Sequence, residues 1–507
     1  MSAASESTRD AEREGAGPAD FGTDVAGVRA RHPTVGFAAG VVRGGGLAEF
    51  QAHGLADIAR GVRMRDDTVL RVASISKTFI TIAVLQLVED GAFDLDTPAD
   101  DLLRSYRLVP RRPGLGRPTV RHLLTHTAGL PETIRALGAL RPEFGEAVAE
   151  GAPLPDLAEF YRGRLAYGAE PGSRFVYGNH GFATLGQIIE DQTGTTLAER
   201  LRERIFEPLA MDDSSLGPSA RTIDRRARSY TIGRRGAVEV PEREMVTAGA
   251  AAVLSTPADM ARYLAALLAG GVGERGRVLE STTVATMFDA HYRPHPSLEG
   301  IGLGFFRTAL AGHRLVEHSG VMSGFVSQLF LAPDDGVAVM AFTNGASGAM
   351  FWLPGETLGL LKGELPGASA PEPARAHRPE QWNGLIGWYA LSARMADVRM
   401  RMMMGAGLEV TVREGRLWLR FLTVIPQLMR GFPLLPAGKP DLYRLTMDEG
   451  ATPLHVAFTR DESGRGTAAY IDIMPATATR RPDMADPRRA LSAAATATVA
   501  RFARDRD

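Results

Sequence analysis

The chain has 507 residues, enough for two domains, and 44% of them are hydrophobic, which supports a real core. Its formal net charge is −1 and its pI about 6.9, so no global field draws it to nucleic acid or to an anionic membrane. There are no cysteines, which excludes disulfides, thiolate catalysis and cysteine-based zinc sites.

Residues 1–20 are polar and mixed in charge, as expected of a disordered tail. They contain no apolar export-signal core, and no stretch nears the roughly 18 apolar residues of a membrane span; the expectation is a cytoplasmic protein. Residues 34–42 and 47–54 read as paired strands around Gly44-Gly45-Gly46, a hairpin rather than a phosphate loop, since no helix follows directly.

An extended, β-branched segment over 68–73 then leads to Ser74-Ile75-Ser76-Lys77, which opens an apolar helix with Gly91 as its C-terminal stop. Residues three apart share a helix face, so the Ser74 hydroxyl and the Lys77 amine can touch without help from the rest of the fold. At a buried helix N-terminus, free backbone N–H groups suit a developing oxyanion. A lysine packed there loses hydration, which disfavours its charged form and lets it act as a base. The plainer alternative is a surface lysine following an N-capping serine.

Helical patterns dominate from Ser74 to about Phe206. Within them, Tyr177-Gly178-Asn179 follows a Pro171-Gly172 turn and precedes a helix that carries Phe182, Leu185, Ile188 and Ile189 on one face and ends at Gly194. A polar side chain there can point into a cleft; equally, Tyr177 can be a packed aromatic and Asn179 a helix cap. Arg225, Arg226, Arg228, Arg234 and Arg235 read as a solvated loop near the cleft, with binding of an anionic substrate as the alternative. Thr256-Pro257-Ala258-Asp259 opens another helix, Thr256 capping it.

Strand patterns return at 302–306, 313–318, 327–331 and 337–342, the last two joined by a turn at Pro333-Asp334-Asp335-Gly336. His318-Ser319-Gly320 sits near a strand end, where the glycine permits close backbone approach; a histidine on a strand is also commonly structural. Residues 364–380 form a Pro- and Ala-rich linker. Beyond it, strand signals at 398–404, 408–412, 417–422, 443–446, 455–459 and 468–474 fit a small barrel or sandwich. Met400, Met402, Met403 and Met404 are expected as core, with an adaptable acyl pocket as the alternative. The tail from 483 is Ala- and Arg-rich, with a loose helix over 490–504.

Together, the Ser74, Tyr177 and His318 stretches resemble the penicillin-recognising serine hydrolases, marked by S-x-x-K, Y-x-N and a K-T-G-like triplet in that chain order. The likeness is greatest to the class C β-lactamases and to the esterases and D-aminopeptidases related to them. The runs V120-R-H-L-L-T-H-T-A-G-L130 and F206-E-P-L-A-M211, together with 248–260, resemble further segments of that family, and the resemblance spans roughly 35–362. It implies an α+β fold: an antiparallel sheet built from both ends of the unit, flanked by helices, with a helical subdomain. The C-terminal part is similar to the lipocalin-like modules of some relatives. The implied division is a tail at 1–20, a catalytic domain at 21–362, a linker at 363–380, a β domain at 381–482 and a tail at 483–507.

By the same resemblance, Ser74 attacks a carbonyl, Lys77 with Tyr177 moves its proton, and Asn179 orients Lys77 and the substrate. His318 and Gly320 bind substrate, and the backbone N–H groups of Ser74 and Val321 form the oxyanion hole. The departure is His318, where true β-lactamases carry a lysine that pairs with the antibiotic's carboxylate. That favours ester, amide or thioester substrates. No cofactor or metal is implied; the 11 histidines show no H-E-x-x-H spacing, and His122 and His126 are expected to be structural. The expected partner is a small-molecule or peptide acyl substrate, with no nucleic acid and no membrane, and the oligomeric state is open. Hydrolysis is the leading reaction; acyl transfer or peptide cyclisation through the same acyl-enzyme, and a sensor that acylates without turnover, are the alternatives.

Overall fold

The computed structural model describes residues 21–134, 141–367, 378–391, 405–423, 425–446, 454–472 and 476–481. Helix α1 (Phe21–Arg31) has no counterpart among the expected elements; Phe21, Val25 and Val28, about one turn apart, are its buried face. Strands β1 (Gly36–Arg43) and β2 (Gly46–Asp57) form the expected hairpin, and β3 (Val62–Arg63) pairs with β2. A 3-10 turn, Ala73–Ile75, feeds α2 (Ser76–Glu89), whose residues are buried through Leu87. At about 1.5–3 kcal/mol for each fully buried large apolar side chain, packing rather than propensity holds this helix. Gly91 closes it as expected: its N–H donates to Val88 and that of Ala92 to Leu87.

Helices α3 (Asn179–Thr193) and α4 (Pro257–Leu268) follow, the latter capped by Thr256 accepting from the Asp259 N–H at 3.1 Å. The 74–206 region is not purely helical. Arg107–Pro110 pairs in parallel with Arg164–Tyr167, and Ala147–Ala149 pairs with Arg243–Met245. These strands of three or four residues are too short to print an alternating pattern on the sequence.

Strands β4 (Phe306–Leu310), β5 (His313–Met322), β6 (Phe325–Ala332) and β7 (Val337–Thr343) complete an antiparallel sheet in the order β4-β5-β6-β7-β1-β2-β3. The register Phe37↔Thr343 to Arg43↔Val337 joins the two ends of the unit. Helix α4 packs on one face; α1 and α5 (Ala349–Glu364) cover the other. The strand expected at 302–306 lies instead at β4. Gly304 (φ +68°) runs so close to α2 that an added Cβ would sit 2.0 Å from the Thr81 hydroxyl, so this apolar stretch is a loop packed on a helix. His318-Ser319-Gly320 falls inside β5, not at its end.

The linker's central residues, 368–377, lie outside the described residues; α5 runs through Glu364 and α6 (Pro379–Leu385) begins beyond them. The C-terminal part is a nearly closed antiparallel barrel of nine strands rather than the six signalled. They are β8 (Gly387–Leu391), β9 (Gly407–Arg413), β10 (Arg416–Phe421), β11 (Phe432–Pro433), β12 (Leu435–Pro436), β13 (Leu442–Leu445), β14 (Leu454–Arg460), β15 (Gly466–Ile471) and β16 (Ala476–Arg480). Their order is β11-β10-β9-β8-β16-β15-β14-β13-β12, so the two edges flank one residue, Leu434. Two-residue stubs such as β11 and β12 carry no readable period. Leu408, Val410, Leu417, Leu419, Val456 and Phe458 alternate into a core separate from that of the first unit. The strand expected at 398–404, its methionines and the tail from 483 lie outside the described residues. The barrel packs on the loop before β4, where Leu298 meets Ala437, Leu442 and Ala457.

Candidate active site

The site begins with backbone strain. Ala73, fully buried, is held at φ +48°, a left-handed conformation costly for any residue with a Cβ. The 3-10 turn it starts brings Ser74 onto the face of Lys77, whose Nζ lies 3.0 Å from Ser74 Oγ. The other serine of the motif turns away. Ser76 Oγ donates to the Ala73 carbonyl at 2.6 Å and accepts from the Val253 N–H at 3.0 Å, tying the turn to the neighbouring chain.

Lys77 has no solvent exposure. Its Nζ also donates to Asn179 Oδ1 at 2.9 Å and to the Ala250 carbonyl at 3.0 Å. Gly178 is the N-cap of α3, so Asn179 is its first helical residue rather than its cap, and its amide is free to reach Lys77. The Tyr177 ring centroid lies 5.0 Å from Lys77 Nζ. That ring is wedged between His126, 4.5 Å between centroids, and Phe306, at 6.2 Å.

His318 completes the enclosure from β5. It is 2% exposed and packs beside Phe306. Burial first, then the charge of Lys77, holds its imidazole down to about 3, so at neutral pH it is uncharged. Its Nδ1 lies 2.7 Å from the Ser319 carbonyl; a carbonyl only accepts, so Nδ1 carries the proton and Nε2 is an acceptor. Gly320 is demanded by packing: an added Cβ would lie 2.1 Å from the Val72 carbonyl oxygen and 2.3 Å from Ser327 Oγ. Ser327 Oγ itself donates to that carbonyl at 3.0 Å. The next residue, Val321, turns its side chain outward, 44% exposed. Ser74, Lys77, Tyr177, Asn179, His318 and Gly320 are thus gathered around one turn of chain.

Sequence reasoning missed a buried carboxylate. Glu146, 2% exposed, accepts from Asn179 Nδ2 at 2.9 Å and from Thr247 Oγ1 at 3.1 Å, and lies 3.5 Å from His180 Nε2. Its local sequence, E143-F-G-E146, carries no motif; only the left-handed turn at Glu143 and Phe144 swings it inward. The Ala250 carbonyl, a backbone group, left no signal either.

The arginine stretch divides: Arg225 pairs with Asp213, Arg226 is buried on Glu150 and Arg228 lies 4.0 Å from Glu239, whereas Arg234 and Arg235 are exposed in a turn, as expected of a solvated loop. His122 caps the Val120–Leu124 helix with Thr119, and His126 packs on Tyr177. Among the described residues, no group of three His, Asp or Glu side chains is placed to hold a metal ion, and no helix is long and apolar enough to cross a membrane.

A sequence model of the beta-lactamase family matches residues 21–363. The chain is 29% identical over 385 residues to penicillin-binding protein 4 of Amycolatopsis lactamdurans, covering 71% of this chain and 94% of that protein. It is 34% identical over 249 residues to the esterase EstB of Burkholderia gladioli, covering 44% of this chain and 62% of the esterase. To a D-aminopeptidase of Brucella ovis it is 29% identical over 353 residues, covering 69% of this chain and 63% of that enzyme. The matches thus span less than two thirds of the esterase and of the aminopeptidase. The chain belongs to the beta-lactamase family.

Proposed function

We propose that this member of the beta-lactamase family is a serine hydrolase that acts through an acyl-enzyme on Ser74, with a small ester or amide as substrate. The reading rests on the surroundings of Lys77 Nζ. Among its neighbours, Asn179 Oδ1 and the Ala250 carbonyl are pure acceptors. Once the ammonium gives up a proton, the amine can keep both N–H bonds on them and turn its lone pair to Ser74 Oγ, 3.0 Å away. Lys77 is placed to take the serine proton, and Tyr177 beside it to pass a proton to the leaving group. Asn179 orients Lys77. The N–H groups of Ser74 and Val321 receive the oxyanion, each such donor being worth about 3–4 kcal/mol in comparable sites.

Substrate class follows from charge. Where a carboxylate-binding lysine would stand, His318 is neutral and offers an acceptor. A substrate with a free carboxylate finds no cation there, whereas an N–H or O–H donor finds a partner. Esters and small amides, including aminoacyl amides, fit this surrounding, in keeping with the similarity to an esterase and to a D-aminopeptidase.

The test is turnover of a panel of nitrophenyl esters, D- and L-aminoacyl anilides and nitrocefin, with mass spectrometry of the trapped enzyme. An acyl mass on the peptide containing Ser74, and a preference for carboxylate-free substrates, are expected. Faster release with added amine or alcohol, yielding the condensed product, would replace hydrolysis with acyl transfer. Labelling without turnover would make the protein a sensor.

A further inference from the structure

We propose that Glu146 is a positioning residue for the Ser74–Lys77 pair, acting through the side-chain amide of Asn179; the inference rests on the serine-hydrolase reading above. An asparagine amide has two ends of nearly equal shape and opposite hydrogen-bonding sense. Lys77 Nζ requires the oxygen end. Turned over, the amide would set an N–H against the amine's own N–H, and one of the two acceptors that leave the lone pair facing Ser74 would be lost.

What selects the correct end is the group on the far side. Glu146 Oε2 accepts from Asn179 Nδ2 at 2.9 Å and from Thr247 Oγ1 at 3.1 Å, so that oxygen is committed as an acceptor. The amide therefore keeps its nitrogen toward Glu146 and its oxygen toward Lys77.

Glu146 is itself held from every side. Thr247 Oγ1 donates to the same oxygen at 3.1 Å, and His180 Nε2 lies 3.5 Å from the other. His180 is fully buried, its pKa pushed down by that burial, and its Nδ1 lies 3.1 Å from the Tyr161 hydroxyl. A Tyr161 O–H donating to Nδ1 leaves the Nε2 hydrogen on the Glu146 side. The main chain fixes the residue too, since the Val246 N–H donates to the Glu146 carbonyl at 2.8 Å. Two lines of polar groups thus meet at Glu146: Lys77 donates to Asn179 and Asn179 to Glu146 from one side, and His180, beside Tyr161, faces it from the other. Among the described hydrogen bonds Glu146 has none to Ser74 or Lys77, and its direct link to that pair is the Asn179 amide.

Single-turnover acylation by a nitrophenyl ester tests this on the full chain. Glu146→Ala should slow acylation about 30-fold with KM changed less than about threefold, as expected for loss of an arrangement used at the chemical step. Glu146→Gln, whose amide oxygen still accepts from Asn179, should restore the rate to within about threefold of the parent. Adding Glu146→Ala to Asn179→Ala should cost less than about twofold further, because both act on one contact.

A swap covers the case in which Glu146→Ala fails to fold. Asn179→Asp alone should be slow, with two carboxyl groups face to face, and Glu146→Gln added to it should recover at least about fivefold by pairing a donor with an acceptor again, in the reverse direction, while an oxygen of residue 179 still faces Lys77. Parental acylation in folded Glu146→Ala, a Glu146→Gln as slow as the alanine variant, multiplicative effects with Asn179→Ala, or no recovery in the swap would each overturn the proposal. If the parent itself carries no acyl group on Ser74, the serine-hydrolase reading is what has failed. If the parent acylates and Glu146→Ala acylates equally, only this inference has.

Discussion

Gly320 lies so close to Val72 that a single added carbon would come within 2.1 Å of the Val72 carbonyl oxygen. Val72 ends the extended segment before the Ser74 turn, and Gly320 lies two residues before the end of β5. The contact brings a strand from the end of the domain against the turn that carries the reactive serine. Several consequences of this geometry can be measured.

Gly320→Ala tests the contact directly. Neither obstructing atom is the end of a flexible side chain, since one is backbone and the other belongs to the short, hydrogen-bonded Ser327. Overpacking of this kind costs about 1–3 kcal/mol. A lowered Tm together with a large loss of ester turnover is expected; parental values of both would show that β5 can move aside freely.

The two serines of the motif should separate cleanly. Ser74→Ala should abolish fluorophosphonate labelling and leave Tm nearly unchanged. Ser76→Ala should keep the label but lose about 1–3 kcal/mol in denaturant unfolding, because the buried Val253 N–H loses its acceptor. Labelling that survives the first and vanishes in the second would reassign the nucleophile.

Tyr177→Phe retains the ring packed between His126 and Phe306 and removes only the hydroxyl. Loss of a proton-transferring group commonly costs about 100-fold or more in rate. Turnover within a few-fold of the parent would assign the whole proton transfer to Lys77.

His318→Lys inserts the cation that the site lacks. The ratio of kcat/KM for carboxylate-bearing substrates over neutral esters should rise about tenfold or more, the value of one charge-assisted hydrogen bond. An unchanged ratio would mean that substrate charge is selected elsewhere.

Acid stability should also report on His318. The unfolded chain protonates this imidazole near its ordinary value of 6.5, while the folded chain refuses the proton until about 3. The unfolded state therefore binds more protons between those values, and stability falls as pH drops through the window, by up to about 1.4 kcal/mol per pH unit. His318→Gln, which cannot titrate, should flatten that slope in urea unfolding at about pH 4.5 and pH 7. An equally steep slope would mean that His318 contributes nothing to it. His180, also buried and pushed down, acts in the same direction and remains in the variant.

The folded structure shows which parts of this arrangement are local. The touch of Ser74 and Lys77 follows from three residues of helix geometry, and the closing of α2 at Gly91, the Thr256 cap and the Glu414-Gly415 turn between β9 and β10 are equally short-range. Each needs only neighbouring residues, so each is written in the chain. The strand at 302–306 was misplaced because an apolar, glycine-containing stretch has the same composition whether it pairs with a strand or packs on Thr81 of α2. The barrel's two-residue edge strands were missed because a period of two needs more than two residues to be visible.

Chemistry at the site divides the same way. The residue types and their order, S-x-x-K, then Y-x-N, then H-S-G, were carried by the sequence, since residue identity and spacing can be read without a fold. Which oxygen faces Lys77, why His318 stays neutral, and the presence of Glu146 behind Asn179 were decided only in three dimensions. Asn179, Ala250 and Glu146 stand 102, 173 and 69 positions from Lys77 along the chain. Burial, hydrogen-bond sense and the strength of a charge depend on distances through space, and a linear order of residues does not contain them until the chain has folded.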